Sequence, residues 1–214
     1  MIIASRMTRN PVTATPDMSI PEASELMKRE KVHRLPVLDK NKKLVGVITE
    51  KDVLYASPSP ATSLSIHEMA YLLSKLRVKD LMARDVVTIT EDVTVEEAAR
   101  MMVDNDFSCL PVVRGDVLVG IVSKSDMFRM LLELFGARKY GVRVSMLVED
   151  KPGMFAQITS TLAKEGLDIV SFGTFTGTDP TNIICTIKVQ GCSKDHLLEL
   201  LNPMVIEVLD IRET

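Results

Sequence analysis

Apolar positions along this chain form short alternating runs broken by helical stripes, and the succession occurs twice. Val12-Thr13-Ala14 reads as an extended segment, and Ala23, Leu26 and Met27 follow at helical spacing. Two apolar runs, 35–38 and 44–48, then read as strands joined by a turn, with a second helix from Thr49. Val86-Val87-Thr88-Ile89 opens the same series again: a stripe of Ala98, Met101 and Met102, strands at 110–113 and 118–122, and a helix from Ser123. Residues 7–37 lie on residues 82–112 at a constant offset of 75, with Thr13 on Thr88, Leu35 on Leu110 and Pro36 on Pro111. One residue is lost in the turn and the offset becomes 74, which sets Gly46 on Gly120, Thr49 on Ser123 and Asp52 on Asp126. The unit is β-α-β-β-α, and its first helix opens on a capping box, Ser19 with Glu22 or Thr94 with Glu97.

Ser57-Pro58-Ser59-Pro60 breaks the chain between the repeats. A further helix is expected over 66–76, opened by Ser65 with Glu68, and its stripe of Ile66, Met69, Leu72, Leu73 and Leu76 reads as a packing or dimer face. After Gly136 the period does not return. A strand over 140–149, a helix with Phe155, Ile158 and Leu162 on one face ended by Gly166, strands at 169–175 and 183–189, a short helix near 195–201 and a strand over 205–211 make β-α-β-β-α-β. The fold class is therefore α+β: two β-α-β-β-α repeats packed as a pseudo-twofold pair, plus a C-terminal ferredoxin-like domain. The expected boundaries are 1–56 for the first repeat, 57–79 for linker and helix, 80–136 for the second repeat and 140–212 for the last domain.

Composition narrows the function classes. The 214 residues are 46% hydrophobic and 26% charged, which suits a folded globular chain. With no Trp and 4% aromatic residues, aliphatic side chains and 13 Met must fill the interior, and little remains to stack exposed bases. The net charge of −3 argues against a nucleic-acid binder, whose affinity comes largely from phosphate neutralisation. Lys40, Lys42 and Lys43 sit at a hairpin tip. Cys109, Cys185 and Cys192 form no CxxC pair, as befits a reducing cytosol, and no apolar run is long enough for a membrane span. The expectation is a cytoplasmic protein with no membrane contact.

Gly46-Val47-Ile48-Thr49-Glu50-Lys51-Asp52 and Gly120-Ile121-Val122-Ser123-Lys124-Ser125-Asp126 carry the best functional signal. A hydroxyl followed three residues later by Asp is also a helix cap, and that plain alternative stands beside the functional one. The functional reading rests on recurrence at equivalent positions and on chemistry. An ionised Asp only accepts hydrogen bonds and can take both from a ribose, while hydroxyl and amide groups at a helix start can hold phosphate oxygens.

On these residues, the stretch from 1 to about 135 resembles a tandem pair of CBS domains, a Bateman module, whose pattern Gly-hydrophobic-x-Thr/Ser-x-x-Asp both copies fit. The resemblance implies that Thr49, Asp52, Ser123 and Asp126 hold ribose and phosphate. It also implies that Thr13, Ala14, Thr88, Ile89, Pro36 and Pro111 wall an adenine slot. Val32-His33-Arg34-Leu35 is similar to the signature of AMP-sensing members, in which the basic pair meets phosphate; the alternative is a surface ion pair. The second repeat has Ser108 and Cys109 there, so two unequal sites are expected.

Asp150-Lys151-Pro152-Gly153 reads as a type II turn. With the element order around it, 140–212 resembles an ACT domain, which implies an amino-acid-like effector near Asp150, Pro152, Gly153 and Asp168. The domain order over the chain resembles bacterial acetoin-utilisation accessory proteins. No nucleophile–base pair or metal-ligand spacing occurs; His33, His67 and His196 are far apart. The expected protein is therefore no enzyme and has no metal or cofactor. It is a sensor whose regulatory ligand is an adenine nucleotide, joined by a possible amino-acid-like metabolite and an unidentified target protein, and it is a homodimer or higher homo-oligomer. The alternatives are an oligomerisation scaffold with vestigial sites and a DNA-binding regulator.

Overall fold

The first helix forms where its cap is written. In the computed structural model, which describes residues 1–56 and 66–214, α1 spans Ile20–Glu30. The Ser19 amide and hydroxyl donate to Glu22 Oε2 at 2.9 and 2.6 Å, and the Glu22 amide donates to Ser19 Oγ at 3.4 Å. Strands β2 (Arg34–Leu38) and β3 (Leu44–Thr49) pair antiparallel, and α2 (Glu50–Ala56) follows. Linker residues Ser57 to Pro60, and Ser65 of the expected third box, lie outside the described residues, as do the side chains of Ile66 and Met69. Helix α3 (Ile66–Lys75) stands where its stripe placed it, with Leu73 and Leu76 half-buried and Leu72 exposed.

The second repeat copies the first. Helix α5 (Val95–Asp104) precedes β5 (Cys109–Arg114), β6 (Val117–Ser123) and α6 (Lys124–Leu134). Its cap is only half made: Glu97 N donates to Thr94 Oγ1 at 3.1 Å, with no return bond from the Glu97 carboxylate among the described residues. Both hairpins carry an irregularity at the related place, between Val37 and Leu38 and between Val112 and Val113. The leading strand differs from expectation: β4 is Ile89–Thr90, parallel to β5, and its counterpart is a single bridge from Ala14 to Val37.

What periodicity did not show is that the repeats exchange their leading segments. The short strand β1 (Thr8–Arg9) pairs with β6 of the second repeat, Thr8 opposite Ile121, while Ala83 bridges Val47 of the first. Ile3 N donates to the Val93 carbonyl, and Val78 N to the Met18 carbonyl, each at 2.9 Å. Ile3 and Met7 enter the core around Ala98, Met102, Leu110 and Val122. Val78, in the short helix α4 (Val78–Leu81), enters the core around Ala23, Met27, Leu35 and Ile48. Here the two glycines are required. A Cβ on Gly46 would lie 2.6 Å from Met82 Sδ and 2.9 Å from the Ala83 carbonyl; one on Gly120 would lie 2.4 Å from Met7 Sδ. Each repeat is thus closed by the segment that leads into the other.

By its contacts the chain divides into Met1–Met127 and Phe128–Thr214. In the second unit β7 (Val142–Glu149), α7 (Met154–Lys164), β8 (Asp168–Thr176), β9 (Asn182–Gln190), α8 (Lys194–Leu201) and β10 (Glu207–Glu213) form a split β-α-β arrangement. The sheet order is β10-β7-β9-β8, antiparallel throughout. One face buries Val144, Met146, Ile187 and Val189 against Ile158, Leu162, Leu197 and Leu201 of the helices. On the sheet, Ser145 and Thr186 share a 2.8 Å hydrogen bond, and buried Lys188 donates to the Gly136 carbonyl at 3.2 Å. An ammonium on that carbonyl suits the C-terminal end of α6.

Candidate functional site

The Thr49 and Asp52 side chains come together because β3 runs straight into α2. The Thr49 amide donates to Asp52 Oδ2 at 2.8 Å, the Thr49 hydroxyl to the same oxygen at 2.7 Å, and the Asp52 amide to Thr49 Oγ1 at 3.3 Å. Ser123 and Asp126 repeat this at 2.9, 2.6 and 3.4 Å. Both carboxylates therefore cap their own helices, as the plain alternative required. The two bonds accepted by the Asp52 carboxylate both end on Oδ2 and leave Oδ1 out of the cap.

Beside Thr49 and Asp52 the first unit opens a cleft of about 390 Å³, within the rough 300–1,000 Å³ of small-molecule sites. Its opposite wall comes from the second repeat and includes Pro111. Val47, Val86, Val87 and Phe107 add apolar surface, and Lys51, Asp85, Asp106, Ser108, Cys109 and Lys124 add polar groups. Asp106 has a left-handed backbone, φ 52°, and its carboxylate pairs with Lys124 Nζ at 2.8 Å, which holds that carboxyl below its ordinary range. Burial pushes the Cys109 thiol up, against the opposing pull of Arg34.

Other expected residues fall elsewhere. Ala14 and Ile89 are buried in the two cores, since each pairs its backbone with the neighbouring strand and turns its side chain inward. Val86 and Val87 line the cleft in place of Thr88, which is exposed, and of Ile89. Thr13 is half-buried and Pro36 buried, at the positions related by the repeat to Thr88 and Pro111. His33 Nδ1 lies 2.8 Å from Glu50 Oε2, with both side chains exposed, as the ion-pair alternative had it. Arg34 donates from Nη1 to the Ser108 carbonyl of the second repeat. Motif matching missed Asp85, Asp106, Phe107 and Lys124. The offset of 75 could have pointed to 106–108 as the counterpart of 31–33.

In the second unit, Lys151 to Met154 form the expected turn: Gly153 sits at φ 87°, ψ −10°, and Met154 N donates to the Lys151 carbonyl. Asp150 lies with Thr174, Phe175, Gly177 and Asn182 around an open hollow of about 580 Å³. Asp168 starts β8, whereas that hollow lies at the far end of the strand, roughly 25 Å away at 3.3 Å per residue. One chain does not bring Asp150 and Asp168 together. Among the described residues, no group of three or more His, Cys, Asp or Glu could hold a metal ion, and no helix is long and apolar enough to cross a membrane.

Comparison with known proteins bears on the first unit. The family model described as "CBS domain" matches residues 3–59 and 78–133. Among solved structures, Arabidopsis thaliana CBSX2 in complex with AMP is 30% identical, with TM-score 0.51 over 64% of this chain and 98% of that one. The CBS domain pair of protein MJ0100 in complex with 5′-methylthioadenosine and S-adenosyl-L-methionine is 29% identical, with TM-score 0.52 over 65% and 98%. A Vibrio cholerae protein provisionally assigned to acetoin utilization is 29% identical, with TM-score 0.53 over 64% and 95%. Curated relatives vary in length: the chain spans 92% of an uncharacterized Methanocaldococcus jannaschii protein at 30% identity, but 23% of a Korarchaeum cryptofilum inosine-5′-monophosphate dehydrogenase at 32%.

Proposed function

The chain belongs to the CBS-domain family, and on that premise we propose that its paired repeats are a non-catalytic sensor of an adenine nucleotide or related adenosyl ligand. The observation that carries this is the cleft in which Thr49 and Asp52 of one repeat stand across from Pro111 and Phe107 of the other. Apolar walls suit an adenine face, and an acceptor-only carboxylate suits ribose hydroxyls. The bound ligands of the CBSX2 and MJ0100 structures support the ligand class. Ligand at 100 times its dissociation constant stabilises the arrangement it binds by about 2.7 kcal/mol, and sensing passes to a partner protein through that bias. Calorimetry with AMP, ADP, ATP and S-adenosylmethionine tests the reading. A Thr49→Ala, Asp52→Ala double variant loses one binding event; unchanged affinity refutes this placement of the site.

The second unit completes the reading as an ACT-type module for an amino-acid-like metabolite, supported by its element order and by the Pro152-Gly153 turn ahead of α7. Likeness to the Vibrio cholerae protein supports a setting in acetoin or central carbon metabolism. A cytoplasmic homodimer fits three unpaired thiols and the exposed Phe128, Leu131 and Leu134 on α6. One observation favours a second reading, a scaffold with vestigial sites: both Asp carboxylates already cap their helices. Absence of any nucleotide binding selects the scaffold.

A further inference from the structure

The end of α6 is built onto the sheet of the second unit. Gly136, at φ 56°, closes the helix: its amide donates to the Glu133 carbonyl and that of Ala137 to the Leu132 carbonyl, the paired bonds of a Schellman turn. A Cβ on Gly136 would lie 2.6 Å from Val170 Cγ1, so bare backbone rests on β8. The Gly136 carbonyl accepts from the Lys139 amide at 3.0 Å and from Lys188 Nζ at 3.2 Å. Lys188 is 3% exposed, and that bond is its one side-chain contact of the kind among the described residues. Arg212, Arg143 and Lys188 stand opposite one another across β10, β7 and β9. Asp210 pairs with both arginines, and among the described residues the buried ammonium is left without a carboxylate, an arrangement that costs stability unless an anion comes to it.

At Gly136 a hollow of about 420 Å³ opens, lined by Arg129, Leu132, Glu133, Gly136, Arg138 and Lys139, and its size suits a small molecule. Three cations there meet one carboxylate. The Arg138 and Lys139 side chains are exposed and make no hydrogen bond or ion pair among the described residues, so a guanidinium fork and an ammonium are unspent. Lys188 adds a further positive charge behind the Gly136 backbone, where burial limits its screening by salt. A helix C-terminus ordinarily disfavours anions through its bare carbonyls, but here the Leu132, Glu133 and Gly136 carbonyls are all occupied. Leu132, 45% exposed, offers apolar surface beside these charges.

We propose that this hollow, wholly within the second unit, binds a small phosphorylated metabolite, with its phosphate on Arg138 and Lys139 and its carbon skeleton on Leu132. A phosphate monoester carries a charge of about −1.5 to −2 and three acceptor oxygens, which match the surplus positive charge and the forked donors of Arg. The site is separate from the Thr49–Asp52 cleft and does not rest on the nucleotide reading. The full chain is titrated calorimetrically in a phosphate-free, low-salt buffer with glycerol 3-phosphate, glycerol and succinate. An Arg138→Ala, Lys139→Ala pair and a Thr49→Ala, Asp52→Ala pair are titrated alongside, with thermal melts to check that each variant folds. Glycerol 3-phosphate binds and glycerol does not. The Arg138, Lys139 pair weakens the phosphate ester about tenfold or more, while the Thr49, Asp52 pair leaves it within about twofold. Salt raised to about 0.5 M weakens binding several-fold. Succinate bound as tightly as glycerol 3-phosphate overturns the phosphate assignment and leaves a general anion site. No binding of glycerol 3-phosphate, or binding indifferent to the Arg138, Lys139 pair, overturns the inference and leaves the nucleotide reading untouched.

Discussion

The two repeats share one scaffold and differ in what they do with it. Both bury a Leu beside a Pro on the first hairpin strand, both close over a Gly with a Met from the other's leading segment, and both cap the second helix through hydroxyl and carboxylate. They part at the helix before the hairpin, where Ser19–Glu22 is a full box and Thr94–Glu97 half of one. They part again where Ser108-Cys109 of the second repeat, which line the cleft, take the positions of His33-Arg34 in the first. Backbone closure and core volume tolerate little change, so those positions agree. A wall residue is not held by core packing, so it is free to diverge.

Core truncation is the strongest way to test the likeness. Leu35→Ala and Leu110→Ala, both at fully buried positions, should each cost about 2–5 kcal/mol by chemical denaturation. A difference above about 2 kcal/mol between them breaks the equivalence of the two cores. Next come the glycines: Gly46→Ala and Gly120→Ala force Met82 and Met7 aside and should each lose about 1–3 kcal/mol. A neutral result at either shows that the Met yields freely there. The caps should then separate the repeats, with Glu22→Ala losing more stability than Glu97→Ala, because only Glu22 returns a bond to its cap residue. Hydrogen bonds from Ser19 hold the Glu22 carboxyl below its ordinary 4.5. Its contribution is therefore present at neutral pH and is lost as pH falls through that lowered value. In Glu22→Ala the acid limb of the stability profile should flatten, which a pH series of melts reads directly.

Thiol reactivity gives the smallest effect. Burial pushes Cys185 up to about 11, so at pH 8 roughly one thiol in a thousand is thiolate, and iodoacetamide should leave it unlabelled until the protein unfolds. Cys109, half-buried on the cleft wall, should label slowly, and more slowly still with an adenosine ligand bound. Mass spectrometry of digests distinguishes them. Labelling of Cys109 that ignores saturating ligand removes it from the site.

The order of the main helices and hairpins, the duplication and the helix starts are readable in the chain because each rests on interactions spanning a few residues: a 3.6-residue stripe, an alternating strand, a hydroxyl three positions before a carboxylate. The repeat likewise matches Thr49 with Ser123 and Asp52 with Asp126 from the sequence alone. Packing over long separations lay beyond that reading. Nothing local says that Met7 seals Gly120 or that Val78 belongs to the core of the first repeat, since those choices depend on which segments compete for the same volume. The cleft follows from that exchange. It gathers Thr49 and Asp52 with Asp85, Asp106 and Lys124 from the other half of the pair, and it turns Ala14 and Ile89 inward to the cores. Short-range hydrogen bonding and periodicity settle what each segment becomes, whereas burial shared between distant segments settles which side chains face one another across a site.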